Sequence, residues 1–157
     1  MANLTHFDDA GAAAMVDVGA KTVTRREATA EAVVAAAAST IAAIRDGSIS
    51  KKGDVLSVAR LAGIMGAKRT ADLIPLCHML PLDSVSVAFE FRSATELCVQ
   101  ATAGVTAKTG VEMEALTAAS VAALTVYDMC KGVDRGIVVR EIRLLRKTGG
   151  RSGEWTA

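Results

Sequence analysis

Aromatic residues are nearly missing from this chain: one Trp, one Tyr and three Phe in 157 residues. Proteins that grip single-stranded nucleic acid stack bases on such rings, so a stacking platform is excluded. An excess of one charge is missing too. Eighteen Lys and Arg against seventeen Asp and Glu leave a formal net charge of +1, far from the basic surplus that neutralises a phosphate backbone. Histidine is limited to His6 and His78, which removes any histidine-rich metal site. The three cysteines, Cys77, Cys98 and Cys130, are odd in number and lack metal-ligand spacing, a pattern expected of free thiols in a reducing compartment. No long apolar run is available to span a bilayer, since residues 32–44 are broken by Ser39 and Thr40, and the start of the chain lacks the order of a signal peptide. These absences predict a soluble, cytoplasmic protein with neither a nucleic acid nor a membrane as partner.

What is present suits one compact enzyme domain. A chain of this length, 51% hydrophobic, can bury about 70% of its unfolded surface around a single core, so residues 1–157 are expected to form one domain. Residues 1–14 read as a mobile arm, and Gly149 and Gly150 suggest a flexible tail from about 148 to 157. Alternation over 22–26 predicts a short strand. The Ala-rich stretch 27–46, with Val33, Val34, Ala37, Ile41 and Ile44 on a helical stripe, predicts a helix ended by Gly47. Asp54 is placed to cap a second helix running to about Lys68, and Pro75 interrupts any helix beyond it. Residues 84–92 and 96–107 alternate apolar and polar side chains and are joined by Ser-Ala-Thr-Glu, which predicts a hairpin. A long helix over 109–131 and a strand over 136–145, with Ile137, Val139 and Ile142 as core candidates, complete the order. That order is a split βαβ pattern with one extra helix. It predicts an α+β, ferredoxin-like two-layer sandwich: an antiparallel sheet with helices on one face.

The long helix is apolar over most of its circumference, as an enclosed helix is, yet it carries Glu112, Glu114, Asp128 and Lys131 at its two ends. At about 100° per residue, Glu114 and Asp128 fall within roughly 40° of each other, and Lys131 follows Asp128 by one turn on the same face. Carboxylates in a first turn favour the helix dipole, and an exposed Asp128–Lys131 pair could be a surface contact worth under about 1 kcal/mol. The functional alternative is set by distance. Fourteen residues at about 1.5 Å separate Glu114 from Asp128 by some 21 Å, too far for one small-molecule pocket within a chain. If both serve one site, two chains build it.

The wording of that helix, TGVEMEALTAASVAALTVYDMCK over 109–131, together with LIPLCH at 73–78, resembles the MoaC family of molybdenum-cofactor biosynthesis. The likeness extends through LTHFD near the start, MVDVGAK at 15–21, KGDVL at 52–56, AGIMGAKRT at 62–70 and LLRKTGGRSG at 144–153, in the family's order and spacing. It implies a ferredoxin-like fold. It also implies a lyase that converts a cyclised dihydro-GTP, made by a preceding radical enzyme, into cyclic pyranopterin monophosphate with loss of diphosphate. The resemblance implies no cofactor and no metal, a homohexamer built as three dimers with the site at the dimer interface, and functional coupling to the upstream enzyme.

By the same resemblance Asp128, Lys131 and Lys52 are the catalytic residues, the two lysines moving protons, and Leu76, Cys77, His78, Glu112, Met113 and Glu114 contact substrate. Lys52 precedes Gly53 and the Asp54 cap, where an ammonium could be aimed at a ligand or could simply flank a helix; Lys51 is its neighbour and control. The family usually has proline after the histidine of LCH, whereas Met79 stands here.

A triphosphate needs cations, and no P-loop pattern supplies them. The candidates come from separate segments: Lys21, Arg26, Lys68, Lys108 and Lys147, with Arg25, Arg69 and Arg151 nearby in sequence. Lys108 beside the amides of 109–111 suggests an anion site, and the glycine pair could let Lys147 and Arg151 close over phosphate. Two other classes are open on residues alone. A non-catalytic nucleotide-binding sensor would need the cations but not Lys52 or Lys131, and a metal-dependent nucleoside-triphosphate hydrolase would need Glu112, Glu114 and Asp128 to converge.

Overall fold

Alternating side chains and hairpin chemistry are realised as a five-stranded antiparallel sheet in the order β2-β3-β1-β4-β5. The computed structural model describes His6 and residues 10–49, 54–151 and 153–157. Lys51 and Lys52 lie outside the described residues. The elements in chain order are β1 (Thr24–Ala35), α1 (Ala38–Asp46), α2 (Val55–Ala67), α3 (Thr70–Leu73), β2 (Ser84–Phe91), β3 (Glu96–Ala107), α4 (Glu112–Cys130), β4 (Val138–Thr148) and β5 (Trp155–Thr156). The four longer strands have the ferredoxin-like order, with the helices on one face, as expected.

The hairpin of β2 and β3 pairs Phe91 with Leu97 across a turn in which the Arg92 amide donates to the Glu96 carbonyl at 3.0 Å. Asp54 caps α2 as predicted: its carboxylate accepts from the Leu56 amide at 3.0 Å. Gly47 ends α1 in the left-handed conformation, and α3 stops just before Pro75. Among the described residues no helix is long and apolar enough to cross a membrane.

Residues 27–46 do not form one helix. Residues 27–35 belong to β1, the central strand, and only residues 38–46 are helical. β1 pairs with β3 along its whole length and with β4 from Glu27 onward, and those ladders override the helix preference of alanine. Ala28, Ala30, Ala32 and Val34 join the core beneath the helices, while Thr29, Glu31 and Val33 alternate with them along the strand. Small side chains on the central strand let α4 settle close.

Ile142 is the second correction. Register shifts in the β1–β4 pairing set Val139 opposite Val34, Ile142 opposite Ala32 and Leu144 opposite Ala30. Val139 and Leu144 pack against the core, but Ile142 remains 47% exposed. Ile137, just before the strand, is buried as expected.

α2 and α4 pack closely because Gly63 faces α4 with no side chain: a Cβ there would lie 2.9 Å from the Ala118 carbonyl oxygen and 3.1 Å from the Ala122 Cβ. α1 is capped from outside its own sequence. The Asp134 carboxylate, just after α4, accepts from the Ala37 amide at 2.9 Å and from the Thr40 hydroxyl at 3.0 Å.

The other face of the sheet holds an ion cluster that the sequence did not announce. Glu31 is fully buried there, accepting from Arg92 at 2.6 Å and Arg143 at 2.8 Å, with the Cys98 thiol at 3.5 Å. Burial pushes its carboxyl up, but the hydrogen bonds from Arg92, Arg143 and Cys98 and the charge of Arg92 prevail and hold it below the usual glutamate value.

Candidate functional site

The N-terminal end of α4 gathers most of the expected contact residues. Val111 precedes the helix without a side-chain cap, and Glu112 and Glu114 occupy the first turn, where carboxylates favour the helix dipole. Glu114 is buried at 4% exposure, and this loss of water, followed by the like charge of Glu112, raises its carboxyl above the usual glutamate value. Met113 lies between them, half-buried.

Leu76, Cys77 and His78 follow the short α3 in a turn where the Cys77 amide donates to the Ile74 carbonyl at 3.1 Å; all three are half-buried. Burial raises the Cys77 thiol, and so does the charge of Glu114; the short α3 that leads into this turn packs on α4. Met79, at the position of the family's proline, is 84% exposed.

Glu112 is held from the other side. Its Oε1 accepts from Lys147 Nζ on β4 at 3.0 Å, both side chains being about a third exposed. A narrow cleft of about 20 Å³ here is lined by Arg26, Gly110, Glu112, Lys147 and Gly149, among others. Arg26 also lines a second, larger cavity of about 750 Å³, with Asp17, Lys21, Thr22, Thr24, Gly150 and Arg151. Three cations from two ends of the chain thus surround one space, and Arg26 joins that space to Glu112 and Lys147. The Nε of Arg26 donates to the Ala107 carbonyl at 3.1 Å, which orients the guanidinium.

Thr22 and Thr24 were not foreseen as lining residues. Thr24 and Arg26 lie two apart on β1 and so share a strand face, a signal that period-2 alternation could have supplied. The Thr24 Oγ1 is buried and has no hydrogen-bond partner among the described residues.

Two of the candidate phosphate ligands stand apart. Lys108 Nζ donates to the Gly19 carbonyl at 2.6 Å, bracing the segment that carries Lys21 rather than lining the cavity. Lys68, at the C-cap of α2, lines a separate cavity of about 400 Å³ with Ile64, Leu80 and Asp83. The Gly149–Gly150 pair leads into β5, which folds back so that Trp155 pairs with Lys147.

Asp128 and Lys131 lie at the far end of α4. The helix is continuous from Glu112 to Cys130, so about 21 Å separates Glu114 from Asp128. Both end residues are exposed, and Lys131 Nζ donates to Asp128 Oδ1 at 2.5 Å. That hydrogen bond, with the opposite charge, raises the ammonium above the ordinary lysine value. Leu124 and Tyr127 are exposed apolar neighbours on the same stretch, at 59% and 36%. Glu112, Glu114 and Asp128 therefore do not converge within one chain, and among the described residues no cluster of three His, Cys, Asp or Glu could hold a metal ion.

Residues 15–150 match the model of the MoaC family. Curated relatives are similar over nearly their whole lengths. The cyclic pyranopterin monophosphate synthase of Rhodospirillum rubrum is 59% identical over 155 residues, covering 98% of this chain and 93% of the relative. Those of Heliobacterium modesticaldum and Peptoclostridium acidaminophilum are 58% and 55% identical, covering 97% and 96% of this chain and 96% and 95% of the relatives.

Proposed function

The chain belongs to the MoaC family, and on that premise we propose how its residues carry out the reaction of a lyase in molybdenum-cofactor biosynthesis. The enzyme converts a cyclised dihydro-GTP into cyclic pyranopterin monophosphate and releases diphosphate. Opening the aminal, closing the pterin ring and forming the cyclic phosphate are proton and phosphoryl transfers, which positioned acids, bases and cations accelerate.

The larger cavity takes the triphosphate, through Lys21, Arg26 and Arg151, with Lys147 at its edge. The guanine-derived rings lie toward Glu112, Met113, Glu114, Leu76, Cys77 and His78. One observation carries this division: Arg26 lines both the basic cavity and the cleft beside Glu112 and Lys147, so phosphates and base can be held as one ligand. Lys131, its ammonium favoured by Asp128, enters as a proton donor. Lys52, by its match to the family's Lys-Gly-Asp motif, is the second proton shuttle.

With Glu114 and Asp128 in one site, the 21 Å along α4 assigns Asp128 and Lys131 to a second chain, and exposed Leu124 and Tyr127 beside Asp128 suit an interface between copies. The assembly is a hexamer of three such dimers, in the cytoplasm, receiving its substrate from the upstream radical enzyme. A metal-dependent hydrolase is not favoured, because its three carboxylates lie at opposite ends of α4.

The test is turnover of the cyclised dihydro-GTP with a chelator present, reading both pyranopterin monophosphate and diphosphate. The lyase persists under chelation, whereas a metal-dependent hydrolase stops and makes no pterin. Lys52→Ala abolishes product while Lys51→Ala keeps most of it; near-normal turnover in Lys52→Ala removes that lysine from the chemistry.

A further inference from the structure

The two glycines after β4 lie close against β1. Gly149 has φ +94°, and a Cβ there would strike the Arg25 carbonyl; Gly150 has φ +71°, and a Cβ there would strike Nη1 of Arg26. Gly153 shares the left-handed conformation, at φ +66°, but a Cβ would meet nothing within 4 Å. The pair is therefore packed flat against β1 at the point where Arg26 leaves it. Arg26 is held on one side by its Nε bond to the Ala107 carbonyl at 3.1 Å, and its two Nη atoms lie beside Gly150. Both Arg26 and Gly150 line the basic cavity with Lys21 and Arg151.

We propose that Gly150 is a positioning residue for phosphate recognition: its bare Cα gives the Arg26 guanidinium the room to lie between the Ala107 carbonyl and the chain after β4, aimed into the basic cavity. The inference rests on the reading of that cavity as the triphosphate site. A guanidinium binds phosphate oxygens through a planar fork whose direction decides how many bonds form. With Nε fixed on Ala107, the direction of the fork depends on what stands on its other side. Any side chain at position 150 pushes the fork away and leaves the charge nearby but misdirected.

The experiment measures inorganic pyrophosphate binding by calorimetry, and thermal midpoints, for the wild type, Lys21→Ala, Arg26→Ala, Gly150→Ala, Gly153→Ala and the double variant Arg26→Ala/Gly150→Ala. Gly150→Ala should weaken binding about tenfold and Gly153→Ala less than about twofold, because both carry the backbone strain but only the first displaces the fork. In the Arg26→Ala background, adding Gly150→Ala should change affinity less than about twofold, since interacting residues are not additive. The midpoint lost in Gly150→Ala should also be partly regained in the double variant, where the guanidinium no longer occupies the space. Equal affinities for Gly150→Ala and Gly153→Ala overturn the inference, as does the same fold-loss with and without Arg26. If pyrophosphate does not bind, or if Lys21→Ala and Arg26→Ala bind it as the wild type does, the reading of the cavity fails, and the inference with it. If those two weaken binding and Gly150→Ala does not, the cavity stands and only the role of Gly150 is lost.

Discussion

Glu114 and Lys131 are both held away from their ordinary protonation behaviour, for opposite reasons. Burial raises the Glu114 carboxyl, and Glu112 adds like charge. A carboxyl raised in the folded state keeps a proton that the unfolded chain releases, so stability falls as pH climbs from the unfolded value, about 4.3, through the folded one. Glu114→Gln removes that loss. Its thermal midpoint at pH 7 should exceed that of the wild type by a few degrees, where about 1 kcal/mol moves a chain of this size by roughly 2–4 °C, and the gap should close near pH 4. Product formation should fall in the same variant. A lower midpoint at both pH values would show that the carboxylate is no burden to the fold. Lys131 is exposed and its ammonium is favoured by the hydrogen bond to Asp128. If it donates the proton, activity is lost as pH rises past its pKa, and Asp128→Asn should move that alkaline limb to lower pH. A pH–rate profile with the limb unmoved assigns it to another group.

At the scale of elements, the contact between α2 and α4 sets the frame on which both ends of α4 are presented. Gly63 allows it, and the neighbours of a Cβ there include the Ala118 backbone carbonyl at 2.9 Å, which cannot rotate away. Gly63→Ala gains up to about 1 kcal/mol of helix preference, but overpacking costs about 1–3 kcal/mol, so the net effect is loss. Gly66→Ala meets only the Val121 side chain, from 2.9 Å, and should lose less. Thermal or urea unfolding of the two variants decides the matter; a Gly63→Ala protein at least as stable as the wild type would mean that the helices can separate at no net cost. The same frame explains why the LCH turn can serve α4. It is set beside Glu114 by the packing of α3 and α2 on that helix, which no property of residues 76–78 alone specifies.

For the whole molecule, the length of the continuous α4 is what the proposed two-chain site rests on. About 21 Å separates Glu114 from Asp128, and the proposal joins Glu114 of one copy to Asp128 and Lys131 of another. Mixing inactive Glu114→Ala with inactive Lys131→Ala under subunit exchange tests it. In a mixed pair one site carries both defects and the other carries neither. Random mixing makes half the pairs mixed, each with one intact site, so about a quarter of wild-type activity should return. Mixed oligomers shown to form and still inactive would place both residues in the same chain's site, or give one of them a structural task.

The sequence alone determined those features whose signal is local. The alternation of 84–92 and 96–107 became β2 and β3, Asp54 capped α2, and the apolar 109–131 became the buried helix, because periodicity and capping act within a few residues. The motif words around Glu114, Asp128 and LCH marked the family for the same reason: they are contiguous. β1 was decided by tertiary structure. Ala28-Thr29-Ala30-Glu31-Ala32 already alternates small apolar with polar residues, but its strand identity depends on β3 and β4 lying on either side to complete its hydrogen bonds. Glu31 is paired in its buried position because Arg92, from the turn between β2 and β3, and Arg143, from β4, both reach it. The basic cavity has the same origin. Lys21 and Arg151 stand near opposite ends of the chain and meet because β1 pairs with β4, while Lys68 and Lys108, equally basic in sequence, are carried elsewhere. A residue's type and its neighbours fix what it can do chemically, and strand pairing across long loops fixes which other residues it does it with.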